Sequence, residues 1–409
     1  MADLTLARKN ELEEFKSDAN DVLKFKLVRK PEDIEDESKS FGPDMSHQIF
    51  GDAEIIFGYK NLKVLLYYTA AKLIPYFQIS FSEKCNVKKS GVPPDNVEKI
   101  MAAELPPKYL TNLDTFRAAL EEEDKFEPFG QMIDAYTLKT RGGEEKQFEV
   151  YFVKIEEPGF REYHARLQSF IKFYIDAASY IDVDDEQWDY FVLFEKYKED
   201  GRQKYAVAGY MTVFNFYAYP SRIRPRISQV LVLPPFQKMG LCAKLIQTFY
   251  NMCYSKPEIL DITVEDPSEN FQRVRDYVDA KNCQKLKSFQ AGELLKGFSH
   301  EMVHEAQTKL KLSKLQARRV YEILRLKATD QSNKDMFRAY RLDVKRRLNI
   351  PFLKNRRTYQ KLEKSLNAEE LTQTLGMMKN EQKFQYLENN FQEDLSAYKH
   401  VLDRLATLQ

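Results

Sequence analysis

The stretch LPPFQKMGLCAKLI, residues 233–246, has the composition of an anion cradle. An apolar strand ends at Pro234-Pro235, a turn bearing Gly240 follows, and an apolar-spaced helix begins. Consecutive backbone N–H groups at such a turn form a nest, and the helix dipole reinforces it. Gly240 permits an unusual φ and the close approach of a phosphate to the backbone. The stretch lacks the Lys-Ser/Thr pair of GxxxxGK[ST] and does not match GxGxxG, which disfavours nucleoside triphosphate hydrolysis. A structural turn before a helix is the competing reading. The next strand-like run closes on DITVEDP, placing Glu265 and Asp266 at its C-terminal edge. In open α/β sheets ligands gather at the carboxyl ends of strands. A pyrophosphate loop beside a carboxylate base is the layout of an acyl-CoA-dependent N-acyltransferase.

Other residues offer different chemistry. His300-Glu301-Met302-Val303-His304 is HExxH on an expected helix, the zincin spacing that puts two imidazoles on one face with a glutamate as base. Glu322 is the nearby residue that could serve as third ligand, and no HxxGxxH extension follows. A surface helix with two exposed histidines is the alternative, and no metal is expected. Cys242 sits at a helix start, but a catalytic thiol also wants a histidine partner, and none is near in sequence. Trp188, the one tryptophan, follows the acidic run DVDDEQ. It reads either as core packing at a strand start or as the wall of a lysine channel.

These residues need elements to hold them. Strand patterns are expected at 148–155, 188–197, 204–220, 226–233 and 259–266, with the helix of the quoted stretch between the last two. Strand, crossover helix, strand implies a parallel pair. Upstream, IIFGYKNLKVLLYYTA reads as paired strands around Gly58, and PPDNVEKIMAAEL as a capped helix. From about 269 the pattern is helical, interrupted at Pro351. The expected organisation is a mixed α/β domain at 1–130, an α/β core at 131–268 and a helical region at 269–409.

Of the 409 residues, 43% are apolar and 31% charged, with a net charge of +1, as in a soluble globular protein. Four scattered cysteines without CxxC spacing suggest reduced thiols inside a cell. The polar N-terminus is unlike a secretory signal, and no apolar run reaches membrane-span length. The charges fall in blocks. Residues 311–360 hold 15 Lys/Arg against 4 Asp/Glu; residues 31–60 hold 8 acids and 2 bases, and 176–200 hold 9 and 2. The acidic blocks suit a basic substrate. The basic block, including KRR (345–347) and KNRR (354–357), suits an acidic partner, an import signal or a solvated helical exterior. It carries no aromatic-interleaved nucleic-acid module.

Strand, Q-x-x-G-x-(G/A), helix, strand resembles the cofactor core of the GNAT acetyltransferases. Seven stretches narrow the resemblance to the catalytic subunits of type B histone acetyltransferases: HQIFGDAEIIFGYKNLKVLLYY, GFREYHARLQSF, YIDVDDEQWDYFVLFEKY, GYMTVFNFYAYP, RPRISQVLVLPPFQ, LDITVEDPS and QARRVYEILRL. They run in family order from about residue 25 to 350. The resemblance implies a GNAT-type acyl-CoA N-acyltransferase fold and direct acetyl transfer from acetyl-CoA to lysines of the histone H4 tail. It places cofactor contacts on Val230, Leu231 and Val232, and on Gln237, Lys238, Met239, Gly240, Leu241, Cys242 and Ala243. It places the general base on Glu265, with Asp266 beside it and a further acid on Asp176, where glutamate is commoner. Tail contacts fall on Asp52, Ala53, Glu54, Trp188, Phe214, Asn215 and Phe216; Ala53 and Phe214 stand where the family leads one to expect an acid and a tyrosine. Partial burial is expected to raise the pKa of Glu265 toward working pH. Histones H4 and H3 and a WD40-repeat histone chaperone are the implied partners, in nucleus and cytoplasm.

Overall fold

Runs of β-branched and aromatic residues, alternating or wholly apolar, account for most of the long strands of this protein. The computed structural model describes residues 12–87, 91–140, 142–353 and 380–407. Its contacts divide the chain into two units: Met1–Phe216 with Arg226–Thr248, and Tyr217–Pro225 with Phe249–Gln409. By these contacts 1–130 goes with 131–216 and 226–248, while 217–225 and 249–268 go with the helical residues.

Within the first unit a three-stranded sheet is built from β1 (Leu23–Val28), β2 (Lys63–Thr69) and β3 (Pro75–Ser80). β1 and β2 are parallel, with Leu23 opposite Val64; β2 and β3 are antiparallel. Two helices follow, α1 (Val97–Glu104) capped by Asn96 and α2 (Leu113–Glu121) capped by Asn112. The main sheet follows in chain order: β4 (Gln131–Lys139), β5 (Glu145–Val153), β6 (Trp188–Glu199), β7 (Arg202–Ala218) and β8 (Arg222–Val232). β4, β5, β6 and β7 pair antiparallel, and the short 219–221 connection leaves β8 only an antiparallel return. Between β5 and β6 runs α3 (Phe160–Gln168), and after β8 comes α4 (Leu241–Tyr254).

The two sheets are joined by buried aromatics and backbone bonds. Phe25 of β1 packs with its ring centroid 6.0 Å from Phe170 and 5.0 Å from Phe173. Tyr163 of α3 donates its hydroxyl to the Ala71 carbonyl at 3.0 Å, and the Val207 N–H of β7 reaches the Ala70 carbonyl at 2.8 Å.

In the second unit, the 222–225 end of β8 pairs in parallel with the segment leading to β9 (Thr263–Val264). Ile223 donates to the Glu258 carbonyl at 2.8 Å and accepts from the Leu260 N–H at 2.9 Å. This is the expected strand–helix–strand crossover. Thereafter the unit is helical: α5 (Glu269–Cys283), α6 (His300–Leu310), α7 (Lys314–Ala328), α8 (Lys334–Leu348) and α9 (Asn380–Thr407). Ser268, Ser299, Ser313 and Asn333 cap the first four through side-chain oxygens. No helix among the described residues is long and apolar enough to cross a membrane.

Candidate functional site

The turn between β8 and α4 is built by its proline pair. Pro234–Phe236 make one 3₁₀ turn, and Phe236 is buried against Phe148 at 6.4 Å between ring centroids. The chain then takes left-handed backbone twice, at Lys238 (φ 63°) and Gly240 (φ 82°). A lysine held there stores about 1 kcal/mol of strain, a cost found mostly at ligand clamps and switches. The Lys244 N–H returns to the Gly240 carbonyl at 3.2 Å, so the helix proper starts after Gly240. The first turn of any α-helix lacks intrahelical acceptors for its N–H groups, which makes such a helix start suited to an anion. The expected cradle residues Gln237 through Ala243 therefore occupy one turn and one helix start. Gln237 also bends its side chain back, donating Nε2 to the Val232 carbonyl at 3.0 Å.

A device behind this turn was not read from the sequence. The β6–β7 register runs Leu193 opposite Gly209 and then Phe194 opposite Val207, leaving Ala208 as an extra residue. This bulge turns the Ala208 carbonyl toward the Leu233 N–H at 2.9 Å. A Cβ on Gly209 would lie 2.4 Å from the Leu231 carbonyl oxygen, so β7 and β8 touch there as only glycine allows. A glycine inside a strand pattern is the signal that could have found it. Leu231 is buried, while Val230 and Val232 are half-buried on the other face of β8.

Further along β8 the buried Gln229 organises a second cluster. Its Nε2 donates to the Ser179 carbonyl at 2.8 Å, and its N–H to Thr212 Oγ1 at 3.1 Å. Gln48 and Ala178 hold each other by two bonds, at 3.0 and 3.2 Å. The segments around 47 and 178 are thus tied together and then to β8. Asp176, 76% exposed, places Oδ1 3.1 Å from His47 Nε2. Sequence reasoning missed His47, because no local spacing links it to a residue so distant.

Glu54 is engaged by the chain's own donors. Its Oε1 accepts the Ser46 and His47 N–H groups at 2.5 and 2.9 Å, and its Oε2 accepts Asn20 Nδ2 at 2.8 Å. The Ser46 N–H above all holds its carboxyl below the usual glutamate range. Its neighbours Asp52 and Ala53 are exposed. Trp188 lies directly opposite Phe214, with ring centroids 4.9 Å apart at 70°. Phe214 in turn meets Phe216 at 4.6 Å, and the Arg226 guanidinium lies 4.6 Å from the Phe216 ring centre. Asn215 donates Nδ2 to Asp189 at 2.7 Å, so the strand end carries an aromatic wall with a fixed amide behind it.

Glu265 and Asp266 belong to the second unit, just past β9. Both are exposed, where partial burial was expected for Glu265. Asp266 adopts φ 29°, and Pro267 and the Ser268 cap of α5 follow at once. The chain turns sharply here and leaves the carboxylates outside.

His300 and His304 are exposed on α6. Glu322 cannot join them as a ligand. It is 0% exposed, its Oε1 held by Arg318 Nε and Arg347 Nε at 2.8 Å each and its Oε2 by the Tyr398 hydroxyl at 2.9 Å. Among the described residues no group of three or more His, Cys, Asp or Glu is gathered as a metal ion requires. The same helices answer much of the basic block internally. Arg319 pairs with Asp276 at 2.7 Å, Arg325 with Asp343 at 2.6 Å and Arg347 with Asp394 at 2.6 Å, while Lys345 of KRR pairs with Glu388. KNRR lies outside the described residues.

Residues 15–176 match the family profile described as "Histone acetyl transferase HAT1 N-terminus", and residues 275–326 match "Histone acetyltransferase type B catalytic subunit, C-terminal". The chain is 45% identical over 401 residues to the histone acetyltransferase type B catalytic subunits of Mus musculus and of Homo sapiens, covering 98% of this chain and 96% of each relative. A relative of the same name from Cryptococcus neoformans is 32% identical over 374 residues, covering 82% of this chain and 89% of the relative. Among solved structures, an aminoglycoside acetyltransferase from a soil metagenomic sample aligns with 32% of this chain and 84% of its own, at 16% identity and a TM-score of 0.23.

Proposed function

Because the chain belongs to the family of histone acetyltransferase type B catalytic subunits, we propose that it transfers acetyl from acetyl-CoA directly to lysines on the N-terminal tail of newly made histone H4, with Glu265 as general base. The observation that carries the cofactor half of this reading is the turn at Lys238 and Gly240, with left-handed backbone twice before a helix of 14 residues. That geometry and the close β7–β8 approach at Gly209 fit a pyrophosphate with a narrow arm beside it. Val230, Leu231 and Val232 would hold the pantetheine arm, and Gln237 through Ala243 the pyrophosphate. Acetyl-CoA supplies the thioester.

The chain's own groups then have defined tasks. A lysine ammonium has a pKa of about 10.4, so roughly one in a thousand is neutral at pH 7. Glu265 takes the proton, directly or through one water, as the amine nitrogen bonds to the acetyl carbon and the thiolate leaves. Asp266 adds negative charge beside it, and Asp176, held by His47, is the further acid of the family pattern. Trp188, Phe214 and Phe216 flank the apolar stem of the lysine. Backbone N–H groups at the end of β8 stabilise the thioester oxygen as charge grows on it. Family membership also supports histones H4 and H3 and a WD40-repeat chaperone as partners, in nucleus and cytoplasm; co-purification from the two fractions tests this.

The deciding assay uses the full chain, acetyl-CoA and an H4 tail peptide. Glu265→Gln should lower kcat by about 10²–10⁴ while leaving acetyl-CoA binding intact. Full activity in Glu265→Gln, with loss on chelation or in His300→Ala, would refute the proposal.

A further inference from the structure

Ile262, three residues before Glu265, is completely buried, and both of its backbone polar groups are claimed by the helical region. Its N–H donates to the Lys311 carbonyl at 2.7 Å, in a parallel bridge with Leu312. Its carbonyl accepts Arg275 Nη2 at 3.0 Å. Arg275 lies on α5, whose cap, Ser268, stands three residues after Glu265. The guanidinium thus closes a ring from the strand end through the turn to the helix, with Glu265 on the turn. The strand up to Ile262 is fixed from its other side as well, by the Leu260–Ile223 bond at 2.9 Å and the Arg224–Asp261 ion pair.

We propose that Arg275, oriented by Asp279, is a positioning residue for Glu265: through the Ile262 carbonyl it sets where the strand ends and therefore where the base stands. The inference rests on the reading of Glu265 as base. Arg275 is only 6% exposed, and burying a guanidinium carries a heavy desolvation cost that a leucine at the same helical position would avoid. Its Nε lies 3.5 Å from Asp279 Oδ2, which also accepts Gln316 Nε2 at 2.9 Å. Gln316 reaches Asp276 at 3.0 Å, and Asp276 accepts Arg319 Nε at 2.7 Å. The groups facing Asp279 are therefore Arg275, Asp276 and Cys283 on its own helix, Tyr250 on α4 and Gln316 on α7. Burial pushes the Asp279 carboxyl up to about 7, against the pull of Arg275. The 275–326 family match begins at the residue that makes this contact.

The test measures kcat, both KM values and thermal melting of the full chain for Arg275→Met, Arg275→Lys, Asp279→Asn and Glu265→Gln, with hydrogen exchange over residues 263–268. Arg275→Met should lower kcat about ten- to a hundredfold, as a misplacement near 1 Å does. KM for acetyl-CoA should stay within about twofold, since the cradle is untouched. Exchange at 263–268 should quicken, and Arg275→Lys should recover part of kcat. If Arg275→Met does not fold, the near-isosteric Asp279→Asn carries the test, with a lowered kcat and normal melting expected. Unchanged kcat in the variant that folds, alongside an inactive Glu265→Gln, overturns the positioning role alone. Loss of kcat only in step with lost melting temperature reduces Arg275 to structural support and also overturns it. An active Glu265→Gln removes the base reading itself, and this inference with it.

Discussion

Replacing Glu322 with glutamine tests whether the basic helices are held from inside. The carboxylate is wholly buried and binds two guanidiniums and one phenol, at 2.8, 2.8 and 2.9 Å. Glutamine keeps the shape but offers one acceptor oxygen and removes the charge that Arg318 and Arg347 share. Breaking a buried ion pair by removing one partner costs about 3–5 kcal/mol. Both arginines keep a second acid, Asp343 at 3.1 Å and Asp394 at 2.6 Å, so the lower end, about 3 kcal/mol, is expected. Because the chain has two units, one two-state fit does not apply, and separate probes are needed. Far-UV circular dichroism follows the helix-rich unit during urea unfolding, while the single Trp188 reports on the other. The circular dichroism transition should move to lower urea much further than the fluorescence transition. Raising salt should leave most of the difference, since buried charges are weakly screened. A loss below about 1 kcal/mol would refute the network as a stabilising element, the worth of an exposed pair.

Two further outcomes follow from the site. Glu54→Gln should cost about 2 kcal/mol by weakening the bonds to Ser46 and His47. The Glu54 carboxyl is held below its ordinary value, so its contribution is present above that value and lost as the pH falls through the lowered one. Melting curves across acid pH should therefore converge for wild type and variant, and a constant gap would contradict the assignment. Gly209→Ala should force β7 and β8 apart at the Leu231 carbonyl, cost about 1–3 kcal/mol and weaken acetyl-CoA binding in a calorimetric titration. Unchanged affinity would show that the close approach is irrelevant to the cofactor.

The crossover around α4 was legible because its apolar runs, proline pair and Gly240 are local signals. β4 was not, since most of its residues are exposed or half-buried and its sequence, QMIDAYTLK, carries little apolar alternation. The expected 259–266 strand shrinks to Thr263–Val264, because Ile262 bonds to the helices and Asp266 turns the chain. In the site, the 237–243 turn could be read, whereas the His47–Asp176 and Gln229–Ser179 contacts join residues with no common periodicity. Within the acidic block at 31–60, Glu54 accepts two backbone N–H groups, a contact that a count of charges does not show. The basic block hides internal pairing in the same way. A count over 311–360 omits Asp276, Glu388 and Asp394, acids on either side in sequence that pair with Arg319, Lys345 and Arg347.

The backbone passes from one unit to the other three times, after residues 216, 225 and 248. Cutting the chain at any one point therefore leaves at least one unit incomplete. A fragment ending at 248 contains every residue of the first unit, yet its complement lacks the 217–225 strip that pairs with 258–260. On the ribosome that strip emerges before residues 258–260 exist, so its pairing with them must wait for the crossover to be synthesised. Only the intact polypeptide, or two overlapping fragments that both carry 217–225, can supply two whole units.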